Sequence, residues 1–311
     1  MKTSAIGILY FCLAAAAQQP PAQQPPAQTT PPQQQPTAPG QTTIQAPPEL
    51  PKYPDVRMPG EYGFWISFGG GVPQGQPTFD KGHSSTITTS SRVTMQGTPK
   101  LAESAEIGFA VGLHNALRVS YFSTRSSGDF TAPNDLTLWG QSYSSGWLLS
   151  TDYRLQDVKV SFDYLTWPYP VESRRFRLKT LWQVQYVSVK SGFDAPTQPT
   201  TDSNGNPLVD ANGNPITYMT TGTRWYFTPT LGLGTTYYVT RDVRIEANAT
   251  GFTIPHHTTT WDADASVNFR LSHFEIGAGA RAFHFKTSTD GPYYLRGTLY
   301  APTVVFRWYS H

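Results

Sequence analysis

The final stretch of the chain narrows the possible folds most. Tyr300, Pro302, Val304, Phe306 and Trp308 fall on alternate positions, and between them lie Ala301, Thr303, Val305 and Arg307. One face is apolar and rich in aromatics, and the other is mostly small or charged. Successive side chains of a strand point to opposite faces. The segment therefore suits a strand with lipid on one side and a polar lumen on the other. The same pattern recurs through most of the chain from Tyr62 onward.

Composition fits such strands. Charged residues make up 14% of the 311 residues and aromatics another 14%, whereas soluble domains carry roughly 25% charge. Mean hydropathy is negative, and beyond the N-terminus no apolar run approaches the ~20 residues of a membrane-crossing helix. A barrel escapes that test, because every second residue of its strands can be polar. A net charge of +2 with no basic cluster excludes nucleic acid as a partner.

Residues 1–17 read as a secretory signal: Lys2, an apolar core through Ile6, Ile8, Leu9, Phe11 and Leu13, then Ala15, Ala16 and Ala17 before the cleavage point. The sole cysteine, Cys12, lies inside it behind Tyr10 and Phe11, which are wrong for a lipoprotein signal. The mature chain is thus expected to lack disulfides and thiol chemistry. Residues 18–59, rich in Pro, Gln, Thr and Ala, read as a disordered periplasmic linker. At ~3.1 Å per residue its reach is on the order of 100 Å. A spacer is the expected role, and docking of a periplasmic partner is the alternative. Residues 60–311 form the barrel domain.

Alternation gives ten candidate strands. They begin near Tyr62, Ala105, Leu117, Thr151, Phe176, Phe227, Val243, Ala263, Phe274 and Tyr300. Short connections at 114–116, 168–174, 240–242 and 272–273 alternate with long ones at 72–101, 125–150, 190–223, 253–262 and 287–294, as expected for periplasmic turns and outer loops. Leu136, Leu138 and Trp139 fit either a loop hairpin or further strands. Eight or twelve strands are therefore the alternatives to ten.

The expected inward charges are Glu106, Arg118, Lys159, Asp163, Arg177, Lys179, Arg244, Glu246, Asp264, Arg270, Glu275, Arg281 and Arg307. Both signs are present, so the prediction is a lumen plugged by ion pairs, with a narrow selective pore as the alternative. Outward aromatics at strand ends (Phe64, Trp167, Trp182, Tyr186, Tyr237, Phe274 and Trp308) are expected to form interfacial girdles.

One hairpin concentrates residues with catalytic potential: His256, His257, Asp262 and Asp264. Histidine beside a carboxylate can act as a general base, and the same groups suit zinc. A polar loop with Asp264 in the lumen is the simpler reading, and neither metal nor cofactor is expected. An eight-residue repeat, Asp202 to Pro207 and then Asp210 to Pro215, places Asn-Gly ahead of Asn-Pro, which favours tight turns. Calcium is the alternative there, although the carboxylate ladder of a high-affinity loop is missing.

Over residues 62–308 the chain resembles the outer-membrane β-barrel proteins of Gram-negative-type bacteria. The cleavable signal, the alternating strands and the terminal aromatic strand carry that resemblance, while Tyr309, Ser310 and His311 extend past Trp308, where such barrels usually finish. It implies an all-β, transmembrane, antiparallel up-and-down barrel of about ten strands. It also implies insertion by the barrel-assembly machinery, contact with outer-membrane lipid and lipopolysaccharide, and a monomer with its N-terminal arm in the periplasm. Fold does not fix function. The leading expectation is a non-enzymatic structural or surface-interaction role through the long loops. A narrow ion or small-solute channel is second. Third is a surface hydrolase on the His256–Asp264 hairpin, similar to the omptin proteases, which pair aspartates with an Asp–His couple.

Overall fold

The computed structural model describes residues 63–86, 91–112, 115–167, 175–255 and 257–310, except the side chains of Thr98 and Trp167. The expected signal, Cys12, the Pro/Gln-rich linker, His114, His256 and the break at 168–170 lie outside the described residues. The strands are β1 (Phe64–Gly71), β2 (Thr78–Lys81), β3 (Val93–Thr94), β4 (Thr98–Pro99), β5 (Ala102–Val111), β6 (Asn115–Thr131), β7 (Leu136–Leu138), β8 (Gln141–Tyr143), β9 (Leu148–Trp167), β10 (Phe176–Pro199), β11 (Thr217–Tyr238), β12 (Val243–Thr253), β13 (Thr259–Leu271), β14 (Phe274–Lys286) and β15 (Tyr293–Tyr309).

Ten of these form a closed antiparallel ring in the order β1, β5, β6, β9, β10, β11, β12, β13, β14, β15. The seam is the β1–β15 pair, in register from Trp65↔Tyr309 to Gly71↔Thr303. Closure leaves no free edge at the level where all ten strands pair, whereas β11 above Leu231 has only β10 beside it. Beyond Gly71 the chain leaves the wall, and β2 takes its place beside β15, pairing Lys81 with Tyr293 and Thr78 with Arg296. A Cβ at Gly71 would fall on the Pro302 carbonyl, so the departure point needs glycine. Leu136 and Leu138 belong to the small β7–β8 hairpin, which pairs only with itself. It is a loop hairpin, and the ring keeps ten strands.

The long strands change polarity partway along. In the lower part of β9, Val158, Val160 and Phe162 face outward while Lys159, Ser161 and Asp163 are buried inside; in its upper part Leu155 and Tyr153 are buried and Arg154 is exposed. β10 does the same, with exposed Trp182 and Tyr186 opposite buried Gln183 and Gln185, and then buried Val187 and Val189 opposite exposed Lys190. A wall in lipid needs its apolar face outside, and a wall in water needs it inside. The inversion therefore marks where the wall leaves the hydrocarbon. It also explains why the outer loops are shorter than expected: 190–223 contracts to 200–216 because β10 and β11 continue as strands above the membrane.

Above the inversion the interior is a conventional apolar core. Phe79, Met95, Leu136, Leu138, Tyr143, Leu149, Leu155, Val187, Val189, Phe193, Phe283, Phe285 and Leu295 pack together within the outer half of the barrel. The β7–β8 hairpin closes it from above. Trp139 sits with φ of 51° at the hairpin tip and packs edge-on against Phe79 and Tyr293 at 5.1 and 5.3 Å. Its indole N–H donates to Ser191 Oγ at 3.0 Å, and the adjacent Gly140 amide donates to Tyr293 Oη at 2.8 Å. Tyr143 donates to the Phe193 carbonyl at 3.1 Å, and burial pushes its phenol pKa up.

Candidate functional site

The lumen below the apolar core holds two charge clusters. The lower one combines Arg118, Lys179, Arg244 and Arg307 with Glu106, Asp163, Glu246 and Glu275, four cations to four carboxylates. Its closest contacts are Arg244–Glu275 at 2.8 Å, Arg118–Asp163 at 2.9 Å and Arg307–Glu275 at 3.0 Å. Tyr309, one residue beyond the aromatic terminus that such barrels usually have, turns inward, and its hydroxyl lies 3.0 Å from Arg244 and 3.3 Å from Glu275. Trp65 closes the same level by donating to Glu106 at 2.9 Å, its indole lying against Gly108, where a Cβ would collide with it.

The upper cluster matches Lys159 and Arg281 with Asp157 and Asp262. Arg281 reaches Asp262 at 2.7 Å and Asp157 at 3.1 Å, and Lys159 bonds Asp262 directly. The Arg281 guanidinium also lies 4.3 Å from the centre of the Phe122 ring, joining the charged layer to the apolar core above it. Buried charges are tolerated only when paired and hydrogen-bonded. Balanced clusters on facing walls meet that requirement and cross-brace the barrel.

Between the clusters a cavity of about 170 Å³ remains, walled on the β1 side by small residues such as Ser67, Gly71 and Ser104. Asp264 lines it, accepting a hydrogen bond from Asn248 at 3.1 Å. Among the described residues no cation lies within ion-pair distance of Asp264.

The other predicted lumen residues sit at the end of the barrel away from the apolar core. Arg177 is buried with its guanidinium 5.3 Å from the Tyr238 ring centre. Arg270 donates to the Ser272 carbonyl at 2.7 Å at the rim, over the face of Tyr309, and stands outside both ion-paired clusters. Asp157 is absent from the sequence-based set of inward charges. Gln156-Asp157 has turn-like polarity, yet its spacing of two from Lys159 gives it the same inward direction. Of the girdle residues, Trp182, Tyr186, Tyr237 and Phe274 are exposed on the outer wall, and Phe64 packs against Trp308 at 5.5 Å. Trp167 lies in β9.

Among the described residues, the candidate catalytic hairpin does not gather His257, Asp262 and Asp264. Asp262 is neutralised by Arg281 and Lys159 inside the barrel, and Asp264 faces the cavity. His257 instead meets Asp290 of the neighbouring outer loop, Nδ1 to Oδ2 at 2.6 Å, both half exposed. Among the described residues no group of three His, Cys, Asp or Glu is placed to hold a metal ion.

The outer loop at 200–216 extends the β10–β11 hairpin. Asp202 Oδ1 accepts from the Asn204 and Asn206 amides, each at 2.8 Å, and Asp210 repeats this with Asn212 and Asn214. Gly205 and Gly213 adopt φ of 83° and 82°. The other oxygen of each carboxylate takes the Asn206 or Asn214 side-chain amide at 3.2 Å. These carboxylates are engaged in closing turns. Leu208, Val209, Ile216 and Met219 remain exposed at this tip.

A closed ten-strand antiparallel barrel with apolar girdles outside and paired charges within is a bacterial outer-membrane β-barrel in fold. No protein-family model matches the chain, and no curated protein matches it in sequence. Among solved structures it is similar to the outer membrane protease OmpT of Escherichia coli, with 7% identity and a TM-score of 0.50 over 79% of this chain and 96% of that one. It is also similar to the translocator domain of the autotransporter NalP from Neisseria meningitidis, with 12% identity and a TM-score of 0.38 over 79% and 88%. Neisserial surface protein A gives 11% and 0.31 over 79% and 97%. At these identities the likeness extends to the fold alone.

Proposed function

We propose that the chain is a non-conducting surface protein of the outer membrane, acting through its outer hairpins rather than through its lumen. The observation that carries this reading is the double obstruction of the barrel: two balanced ion-pair clusters below and an apolar core capped by β7–β8 above. The element best placed to meet a partner is the β10–β11 hairpin, with its rigid tandem turns and exposed Leu208, Val209, Ile216 and Met219. Single-channel recording of the purified protein in a planar bilayer tests this directly. The expected outcome is silence once insertion is verified, and steady ion-selective steps would overturn it.

A narrow channel is the second reading, favoured by the cavity around Asp264. It requires the β7–β8 hairpin to move, so conductance appearing only when residues 134–145 are replaced by a short turn would support it. The hydrolase reading has less to stand on, because Asp262 is held by two cations and His257 is directed to Asp290.

A further inference from the structure

β10 and β11 pair without a break from Phe176↔Tyr237 to Ala195↔Tyr218, whereas β12 stops pairing with β11 at Leu231↔Gly251. The side of β11 turned away from β10 is therefore an open edge from Tyr218 to Thr230. Hydrogen bonds at the foot of the strand fix which backbone groups point that way. The Tyr238 amide donates on the β10 side, to the Arg175 carbonyl at 2.8 Å, and the Val239 amide on the β12 side, to the Val243 carbonyl at 3.0 Å. Direction alternates along an antiparallel strand, and the register has no shift over this length. The N–H and C=O groups of Met219, Thr221, Thr223, Trp225 and Phe227 thus all point off the edge. Among the described residues no loop backbone hydrogen bond meets any of them. Pro229 keeps the same phase, where a missing N–H costs the β10 ladder nothing.

Open edges are usually blunted by brevity, charge or a bulge. This one is long, and Arg224 is its only charged side chain between Tyr218 and Thr230. Arg224 faces inward, its guanidinium 5.4 Å from the centre of the Trp139 ring. Its Nε is buried without an acceptor, and among the described residues no carboxylate lies within ion-pair distance of it. On the outer face of the same edge, Met219 and Trp225 are 67% and 64% exposed.

We propose that the β11 edge receives an added strand, an extended segment of a partner polypeptide that carries a carboxylate opposite Arg224. The row of free donors and acceptors binds any extended backbone, and side chains on one face then set the choice of partner. A residue directly opposite Arg224 projects to the same face. Its carboxylate supplies the acceptor that the guanidinium lacks, in a charge-assisted pair. Apolar residues on either side of it continue the outer surface of Met219 and Trp225. The inference rests on the reading that the β10–β11 hairpin meets a partner, and is independent of whether the lumen conducts.

The test uses the full chain in neutral detergent and a blocked nine-residue peptide of alternating threonine and valine with aspartate at its centre. Amide hydrogen exchange is followed residue by residue. The amides of Met219, Thr221, Thr223, Trp225 and Phe227 should exchange fast in the free protein. With peptide at about ten times its Kd they should slow about tenfold, while Gly222 and Arg224, bonded to β10, stay as they were. Asparagine in place of the peptide's aspartate should weaken binding about fivefold, since charge-assisted hydrogen bonds are roughly twice as strong as neutral ones. Arg224→Gln should erase that difference. Thr223→Pro removes one edge donor and should weaken both peptides, with heat-modifiable migration reporting its folding. A peptide N-methylated along its β11-facing side probes the same contact on the unaltered protein and should not bind. No saturable protection up to millimolar peptide, equal binding of the N-methylated peptide, or discrimination that survives Arg224→Gln would overturn the proposal. Protection present without peptide and rising with protein concentration would also overturn it, by assigning the edge to a second copy of the chain. Steps in the bilayer recording would sink the non-conducting reading alone, and failed peptide binding beside a silent bilayer would sink this inference alone.

Discussion

Arg281 shows how much one side chain can hold together. It joins Asp157 of β9 to Asp262 of β13 across the lumen and caps Phe122 with its guanidinium. Arg281→Met keeps an unbranched apolar stem and removes the charge, leaving Lys159 to satisfy two buried carboxylates. Removing one partner of a buried pair costs about 3–5 kcal/mol. The urea midpoint of the folded barrel should fall accordingly, and an unchanged midpoint would mean that the cluster is solvated. At the outer tip the carboxylates act locally. The Asn206 backbone amide, and then its side-chain amide, hold Asp202 below the usual carboxylate range, and Asn214 does the same for Asp210. A lowered folded-state pKa contributes stability that is present above the unfolded value and lost as pH falls through the folded one. Both turns should thus stay closed at neutral pH and open only under acid stronger than ordinary carboxylate titration requires. Hydrogen exchange at the Asn204, Asn206, Asn212 and Asn214 amides should accelerate in that range, and Asp202→Ala should accelerate the first two at every pH.

Among the elements, the β7–β8 hairpin stands apart because it touches the barrel without joining its sheet. Trp139 fixes it through two aromatic contacts and one hydrogen bond. Trp139→Ala should cost about 3–5 kcal/mol, as large aromatic deletions from cores do. The loss should appear as faster proteolysis between residues 132 and 147, with the lower barrel still resistant. Equal resistance along the whole chain would argue against the hairpin as the cap. The same element marks where the sequence becomes hard to read. β12, β13 and β14 are legible because they keep one polarity phase over most of their length, from Val243, Ile245 and Ala247 to Ile276, Ala278 and Ala280. β6, β9, β10 and β11 change phase where they leave lipid, so Leu155 and Val189 follow the opposite alternation from Val160 and Trp182. A single outward-apolar rule stops working at that point. It places the long outer loops too near the membrane. The charged lumen is legible because Lys159, Arg244 and Arg281 lie opposite lipid-facing residues. The outer core is not, because its members come from strands, loops and a hairpin far apart in sequence.

At the scale of the whole barrel, stability depends on closure. The β1–β15 seam joins the first described strand to the last, and the opposing Phe68, Val304 and Phe306 are exposed on its outer surface. Val304→Arg places a cation on that lipid face at a cost of about 2–4 kcal/mol near the bilayer centre. Yield of the heat-modifiable form should drop, and normal yield would show that this face does not meet hydrocarbon.

The wall is also uneven. β9, β10 and β11 run for 20, 24 and 22 residues, whereas β12, β13 and β14 run for 11, 13 and 13. At about 3.4 Å per residue, β10 is roughly 80 Å of strand crossing an apolar band about 25 Å tall. One side of the rim stands well above the bilayer while the other barely clears it. A molecule approaching from the medium therefore meets a parapet with a gap in it, and the side from which it comes decides whether it touches the turns at 200–216 or the low sill where His257 faces Asp290.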